Sequence, residues 1–215
     1  MLTLFSCSKE NSKEVQSEIT NQQKNKRIVT STFQNQEVIR KALAFRSSLS
    51  SQLESEDPLN FPDNLTFDTT YFDMAQLEGV SEYGLIMNTI DFEETSDLTY
   101  HHVFFTNETS EIESSYFMSC HVLSSGTREI IYYNDLDYTP LLKVILDPED
   151  ESMTFINYEN MYGMMARPCG QATMDCINDA YTNHGWVSVW AWVQTAYIPA
   201  TGVAIAAACA GRNCL

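Results

Sequence analysis

The stretch Ser115-Tyr-Phe-Met-Ser-Cys-His-Val-Leu123 decides the fold expected for this 215-residue chain. It is rich in aromatic residues and its side chains alternate in polarity, a pattern that favours a β-strand. In a strand, alternation gives two faces, one with Tyr116, Met118, Cys120 and Val122 and the other with Ser119 and His121. Cys120 is therefore predicted to be a buried free thiol rather than a nucleophile.

Four further segments between Asn64 and Asn160 have the same character. They are rich in Tyr, Phe, Ile, Val and Thr, and they lie around Tyr83–Ile90, Thr99–Thr106, Arg128–Asn134 and Leu141–Leu146. Successive segments are about 12 to 16 residues apart, with no helix-length insert between them. Because a parallel pair needs a long crossover connection, this spacing favours an antiparallel meander.

An amphipathic helix is predicted from Gln34 to Leu53, before the strands. Its apolar residues recur at helical spacing: Val38, Ala42, Phe45 and Leu49. The overall prediction is an α+β fold, in which this N-terminal helix packs on an antiparallel β-meander that forms a curved sheet or open barrel. A small disulfide-linked helical tail follows the meander.

The chain divides into five predicted regions. Residues 8–32 are rich in Lys, Glu, Gln, Asn and Ser and cannot bury enough apolar surface to offset chain entropy, so they are predicted to be a flexible tether. A truncated signal precedes them at 1–7, and a β-rich body with one helix follows at 33–160. A linker at 161–168 leads to the disulfide-linked helical tail at 169–215.

The tail contains a run of 26 uncharged residues, Gly185–Ala210, in a chain of net charge −17. Four of the six cysteines lie beside this run or at its C-terminal end, without the CxxC spacing or histidine pairs of a zinc site: Cys169, Cys176, Cys209 and Cys214. Disulfides are therefore expected, and they imply an oxidising compartment. Nested pairing of Cys176 with Cys209 and of Cys169 with Cys214 would suit an antiparallel return of the chain, but it is one of three connectivities.

Three dispositions of the tail remain open. It could be a cap docked on the sheet, a hairpin that inserts into a membrane or a partner, or a single membrane span. The residues expected to make membrane or partner contact form a stripe at helical spacing: Trp186, Trp190, Val193 and Tyr197. The uncharged run is long enough for a span, about 39 Å as a helix, but Pro199 and a cysteine-closed return count against one.

The N-terminal residues Leu4-Phe5-Ser6-Cys7 resemble a bacterial lipobox, and Ser8-Lys9-Glu10 resembles the export signal of some Bacteroidetes lipoproteins. The resemblance implies lipidation of Cys7, attachment to the outer membrane through the lipid and a location that could be the cell surface. Only six residues precede Cys7, fewer than a signal peptide requires, so an ordinary N-terminal coil is the alternative.

The tail is similar to the cysteine-closed, tryptophan- and alanine-rich helical hairpins of some peptide bacteriocins, which are released from longer precursors. This resemblance implies a second interpretation of the chain. Cleavage near Arg167 would release the tail as a membrane-active, toxin-like peptide.

The sequence offers no constellation that identifies a reaction. Neighbouring His101 and His102 would point to opposite faces of a strand, and the nucleophile-elbow, phosphate-loop and dinucleotide-binding motifs are absent from the sequence. We therefore expect no catalytic residue, no metal and no cofactor.

The negative charge of residues 57–215 also narrows the class of partner that this protein can bind. Residues 57–215 carry four basic and 23 acidic side chains, so they would repel nucleic acid. The leading hypothesis is a non-enzymatic envelope lipoprotein that acts as a binding module, with its tail docked on a partner or on its own body.

Overall fold

A computed structural model describes residues 28–50, 62, 65–90, 97–150, 152–158, 173, 175–180 and 198–213. Most of them form one eight-stranded sheet, with the strands β1 (Ile28–Phe33), β2 (Phe67–Leu77), β3 (Tyr83–Thr89), β4 (Leu98–Thr106), β5 (Ile112–Val122), β6 (Arg128–Tyr133), β7 (Pro140–Asp147) and β8 (Ser152–Asn157). Every neighbouring pair is antiparallel and the strand order in the sheet is the order along the chain. The predicted antiparallel meander is confirmed.

Strand β1 includes residues 28–32, which the polar composition had assigned to the tether. Its side chains are mostly exposed, and its backbone pairs with β2 from Ile28 opposite Leu77 to Phe33 opposite Phe72. An edge strand needs little burial because the ladder of main-chain hydrogen bonds holds it. The polar side chains of this segment are therefore compatible with a strand.

Two helices lie on opposite faces of the sheet: α1 (Gln36–Ser50) and α2 (Ile198–Asn213). On the α1 face, Val38, Ile39 and Ala42 pack in one cluster with Phe72, Leu85, Phe104 and Phe117. On the α2 face, Val203, Ala204 and Ala207 pack in a second cluster with Ile86, Val103, Met118 and Tyr132. Both faces of the central strands are thus buried, and β4 is buried continuously from Tyr100 to Thr106.

The side chain of Asn35 caps the start of α1. Its Oδ1 atom accepts hydrogen bonds from the main-chain amides of Glu37, at 3.1 Å, and of Val38, at 3.4 Å. Such a cap satisfies amides in the first turn that have no partner within the helix. Neither α1 nor any other helix within the described ranges combines the length and apolar character needed to cross a bilayer.

Candidate functional site

The candidate site is the α2 face of the sheet together with the helix that it holds. Every residue from Ala200 to Ala210 in α2 is buried. A helix that is apolar on all sides belongs in an interior rather than at a surface. The helix packs across β1 to β5, so the tail supplies a large part of the hydrophobic core of the protein.

Two glycines mark the closest approach between helix and sheet. A Cβ atom at Gly84, in β3, would overlap with Cγ1 of Val203 in the helix. In the reverse direction, a Cβ atom at Gly202 would lie 3.0 Å from the hydroxyl oxygen of Tyr132 and 3.3 Å from Sδ of Met118. The close fit at Val203 therefore requires a residue without a side chain at Gly84, and the contact at Gly202 is tight for any larger residue.

Tyr132 also makes a polar contact with the helix. Its hydroxyl group donates a hydrogen bond to the main-chain carbonyl of Gly202 at 3.2 Å. Tyr132 is 1% exposed, and a buried tyrosine hydroxyl needs such a partner. This bond adds a directional contact between α2 and the sheet to the apolar packing.

The disulfide between Cys176 and Cys209 joins α2 to the helical residues 175–180, with a Cα–Cα distance of 5.5 Å. Ile177 beside it is fully buried, and Cys176 and Ala180 pack against the α2-face cluster. The pairing of Cys176 with Cys209 is confirmed. Both cysteines follow residue 168, so this bond closes the tail on itself and does not attach it to the sheet.

A polar network occupies the α2 face where β2, β3 and β4 run side by side. Asn88 donates from Nδ2 to Oδ2 of Asp73 at 3.1 Å, and its Oδ1 lies 2.8 Å from Nδ1 of His101. Nε2 of His101 lies 2.9 Å from the hydroxyl of Thr99. Burial lowers the pKa of His101 to about 3, so the ring is neutral and each nitrogen has one partner.

A pocket of about 190 Å³ lies next to this network, lined by Asp73, Ile86, Ala200 and the consecutive β1 residues 30–32. Ligand sites typically have about 300 to 1,000 Å³. The pocket is therefore smaller than a typical ligand site, and the sheet face that α2 covers is the better candidate for a binding surface.

His102 lies on the other face of the sheet, against α1. Its ring centroid is 4.1 Å from that of Phe117 and 4.2 Å from that of Phe104, and the side chain is fully buried. Within the described part of the chain neither ring nitrogen has a hydrogen-bond partner. Burial, with a smaller contribution from the charge of Arg46, holds the pKa of His102 well below its usual value.

These positions argue against a shared histidine metal site. The two rings belong to opposite faces, and the residues with described positions contain no group of three or more His, Cys, Asp or Glu arranged to hold a metal ion. Cys120 is a buried free thiol, as predicted, and burial raises its pKa.

Several predicted site residues lie outside the described ranges. They are the lipidation residue Cys7, the cysteines Cys169 and Cys214, and the stripe Trp186, Trp190, Val193 and Tyr197. Sequence reasoning missed the residues that fit α2 to the sheet: Gly84, Tyr132, Gly202 and Val203. A signal was present at Gly84, because a glycine inside a strand indicates a close approach of another chain segment.

Comparison of the chain with protein-family models, with curated proteins and with solved structures finds no match.

Proposed function

We propose that this chain is a non-enzymatic binding protein of the cell envelope, attached to the outer membrane through a lipid on Cys7. Its β-sheet body holds an apolar, disulfide-closed helical tail. The observation that carries this proposal is the burial of every residue from Ala200 to Ala210 on the α2 face. This sheet face accommodates a whole apolar helix, and in this structure the helix is the protein's own tail.

The disulfide supports an oxidising location. Bonds such as Cys176–Cys209 persist in secreted, periplasmic and cell-surface proteins and are rare in the cytosol. The acidic body supports a partner other than nucleic acid, because residues 57–215 have 23 acidic against four basic side chains.

The environment of the reactive side chains supports a non-enzymatic role. Cys120, His101 and His102 are at most 3% exposed. Burial keeps the thiol protonated and both imidazoles neutral, in clusters that dissolved substrates do not reach. These groups therefore serve packing and hydrogen bonding in the folded protein.

A second candidate function is a precursor that releases its tail as a membrane-active peptide. The observation that favours it is that the disulfide lies wholly on the C-terminal side of Arg167. A cut near Arg167 would leave the cross-link intact within the tail. The apolar surface of α2 would then be free to bind a membrane.

Intact mass spectrometry of the native protein tests both candidates, using membrane and culture-supernatant fractions with and without reduction. An acylated full-length chain in the membrane fraction, with a mass gain of two hydrogens per disulfide on reduction, is the result expected for the anchored binding protein. A Cys7→Ala variant is the matched control and should leave the membrane fraction. An oxidised fragment in the supernatant that starts near Pro168 would instead favour the precursor.

A further inference from the structure

The sheet is complete without the tail. All eight strands lie between residues 28 and 157, and the tail residues that the structure describes add no strand to it. The disulfide connects two tail residues, Cys176 and Cys209. The described contacts between body and tail include side-chain packing and the Tyr132 hydrogen bond, which are the kinds of contact by which a receptor holds a separate peptide.

The packing surface is selective for the kind of helix that it holds. Gly84 leaves space for Val203, and a Cβ atom at position 202 would lie only 3.0 Å from the Tyr132 hydroxyl oxygen, so the sheet favours a glycine there. The Tyr132 hydroxyl group then bonds to the carbonyl exposed at that glycine. The matching ligand is an apolar helix with a glycine facing Tyr132 and alanines around it.

We propose that the α2 face is a peptide-binding site whose ligand is the tail itself, and that the body retains the tail after the connecting chain is cut. Gly84 is the specificity-determining residue of this site. The inference deepens the proposed function because it names the ligand of the binding surface. This inference depends on the docked tail but not on the lipid at Cys7, so an experiment can refute the inference and the proposed lipid anchor separately.

If the body retains the cut tail, cleavage of the connecting chain does not by itself release the tail. The described contacts of α2 with the sheet lie outside residues 159–172, so a cut between those residues leaves these contacts in place. The cut tail then leaves at a rate set by how fast α2 separates from the sheet. Cleavage and release are two separate events in this protein.

The test uses the oxidised full-length chain with a site-specific protease sequence inserted after Arg167. After complete cutting, size-exclusion chromatography at ~1 μM protein, with mass spectrometry of each fraction, shows whether body and tail elute together. Co-elution is expected and requires a Kd below about 1 μM. Separation of the tail from an otherwise folded body would overturn the proposal.

Variants at the contact point test the role of Gly84. Gly84→Ala should speed loss of the cut tail at least tenfold. Val203→Ala in the same chain should restore retention, because the nearest remaining atoms are the Val203 carbonyl oxygen and Cβ at the ordinary distances of 3.5 and 3.6 Å. Retention unchanged by Gly84→Ala, or not restored by the second substitution, would remove Gly84 from the site.

A third variant keeps the test decisive if Gly84→Ala prevents folding. Tyr132→Phe deletes the hydrogen bond to Gly202 without adding an atom, and it should speed dissociation by about three- to tenfold. Unchanged dissociation would contradict the role given to Tyr132. An unacylated native protein that still retained its cut tail would refute the proposed anchor and leave this inference standing.

Discussion

Removing the disulfide should cost the protein several kilocalories per mole of stability. The bond spans 33 residues, from Cys176 to Cys209. For a closed loop of that length, chain entropy gives about 12.5 cal/mol/K, or about 3.7 kcal/mol at 25 °C. The double variant Cys176→Ala/Cys209→Ala should lose this amount, which corresponds to a fall in Tm of about 7 to 15 °C for a chain of this size.

Urea denaturation of the full-length chain measures this loss with two independent probes. All three tryptophans, Trp186, Trp190 and Trp192, lie inside the disulfide-closed segment, so tryptophan fluorescence reports on the tail. Far-UV circular dichroism reports mainly on the sheet. Because α2 and the sheet share one hydrophobic cluster, we expect the two transitions to coincide.

The control is Cys120→Ala, which removes a buried sulfur atom but no cross-link. Its expected cost is about 1 kcal/mol, typical of a small core deletion. If the double variant lost no more than this control, the chain-entropy reasoning would be refuted. Two separate transitions in the wild-type chain would refute the shared core.

Three further predictions concern groups away from the disulfide. Burial lowers the pKa of His101 to about 3 and holds that of His102 well below the unfolded value of 6.5, so the stability that their neutral forms provide is present above pH 6.5 and is lost as the pH falls below it. The free energy of unfolding, measured by urea denaturation between pH 7 and 4, should change with a slope approaching about 2.7 kcal/mol per pH unit, and His102→Phe should halve that slope. A free energy of unfolding that did not change with pH would contradict the assignment. Cys120 should resist iodoacetamide in the native protein and react once urea unfolds it, so rapid native labelling followed by mass spectrometry would disprove its burial. Asn35→Ala should lower the free energy of unfolding by about 1 kcal/mol through loss of the α1 cap, whereas exposed Val29→Ala should lower it far less.

The sequence predicted strands β3 to β7 but not the strands β1, β2 and β8. Strands β3 to β6 contribute buried residues to both clusters, and β7 contributes four apolar residues to the α2-face cluster, so each has the apolar sequence that identifies a strand. Strand β1 is a polar edge strand, and β8, at the other edge, has only partly buried or exposed side chains. In β2 the pairing register shifts between Phe67 and Phe72, which interrupts the alternation that identifies a strand.

The docking of the tail depends on residues far apart in the chain. Residues 198–211 of α2 carry no charge, a composition that fits a buried core, a membrane or a partner, so it could not choose among them. The docked position of α2 on the sheet depends on the packing of Val203 against Gly84 and of Gly202 against Tyr132. Gly84 alone indicates that some segment approaches its strand closely, but it does not identify Val203 as the partner, and the cysteine spacing likewise left three connectivities open.

The sequential strand order means that the strands can fold in the order in which they occur in the chain. Each strand pairs with the one before it, so the sheet can assemble progressively as the chain is delivered from its N-terminus to the compartment in which it folds. Strand β8 ends at Asn157, whereas α2 ends at Asn213. At typical synthesis rates the nascent sheet waits about 3 to 11 s with the apolar surface around Ile86 and Met118 uncovered. We expect a chaperone to shield that surface during this interval, since an unshielded nascent chain would aggregate before its last helix arrived.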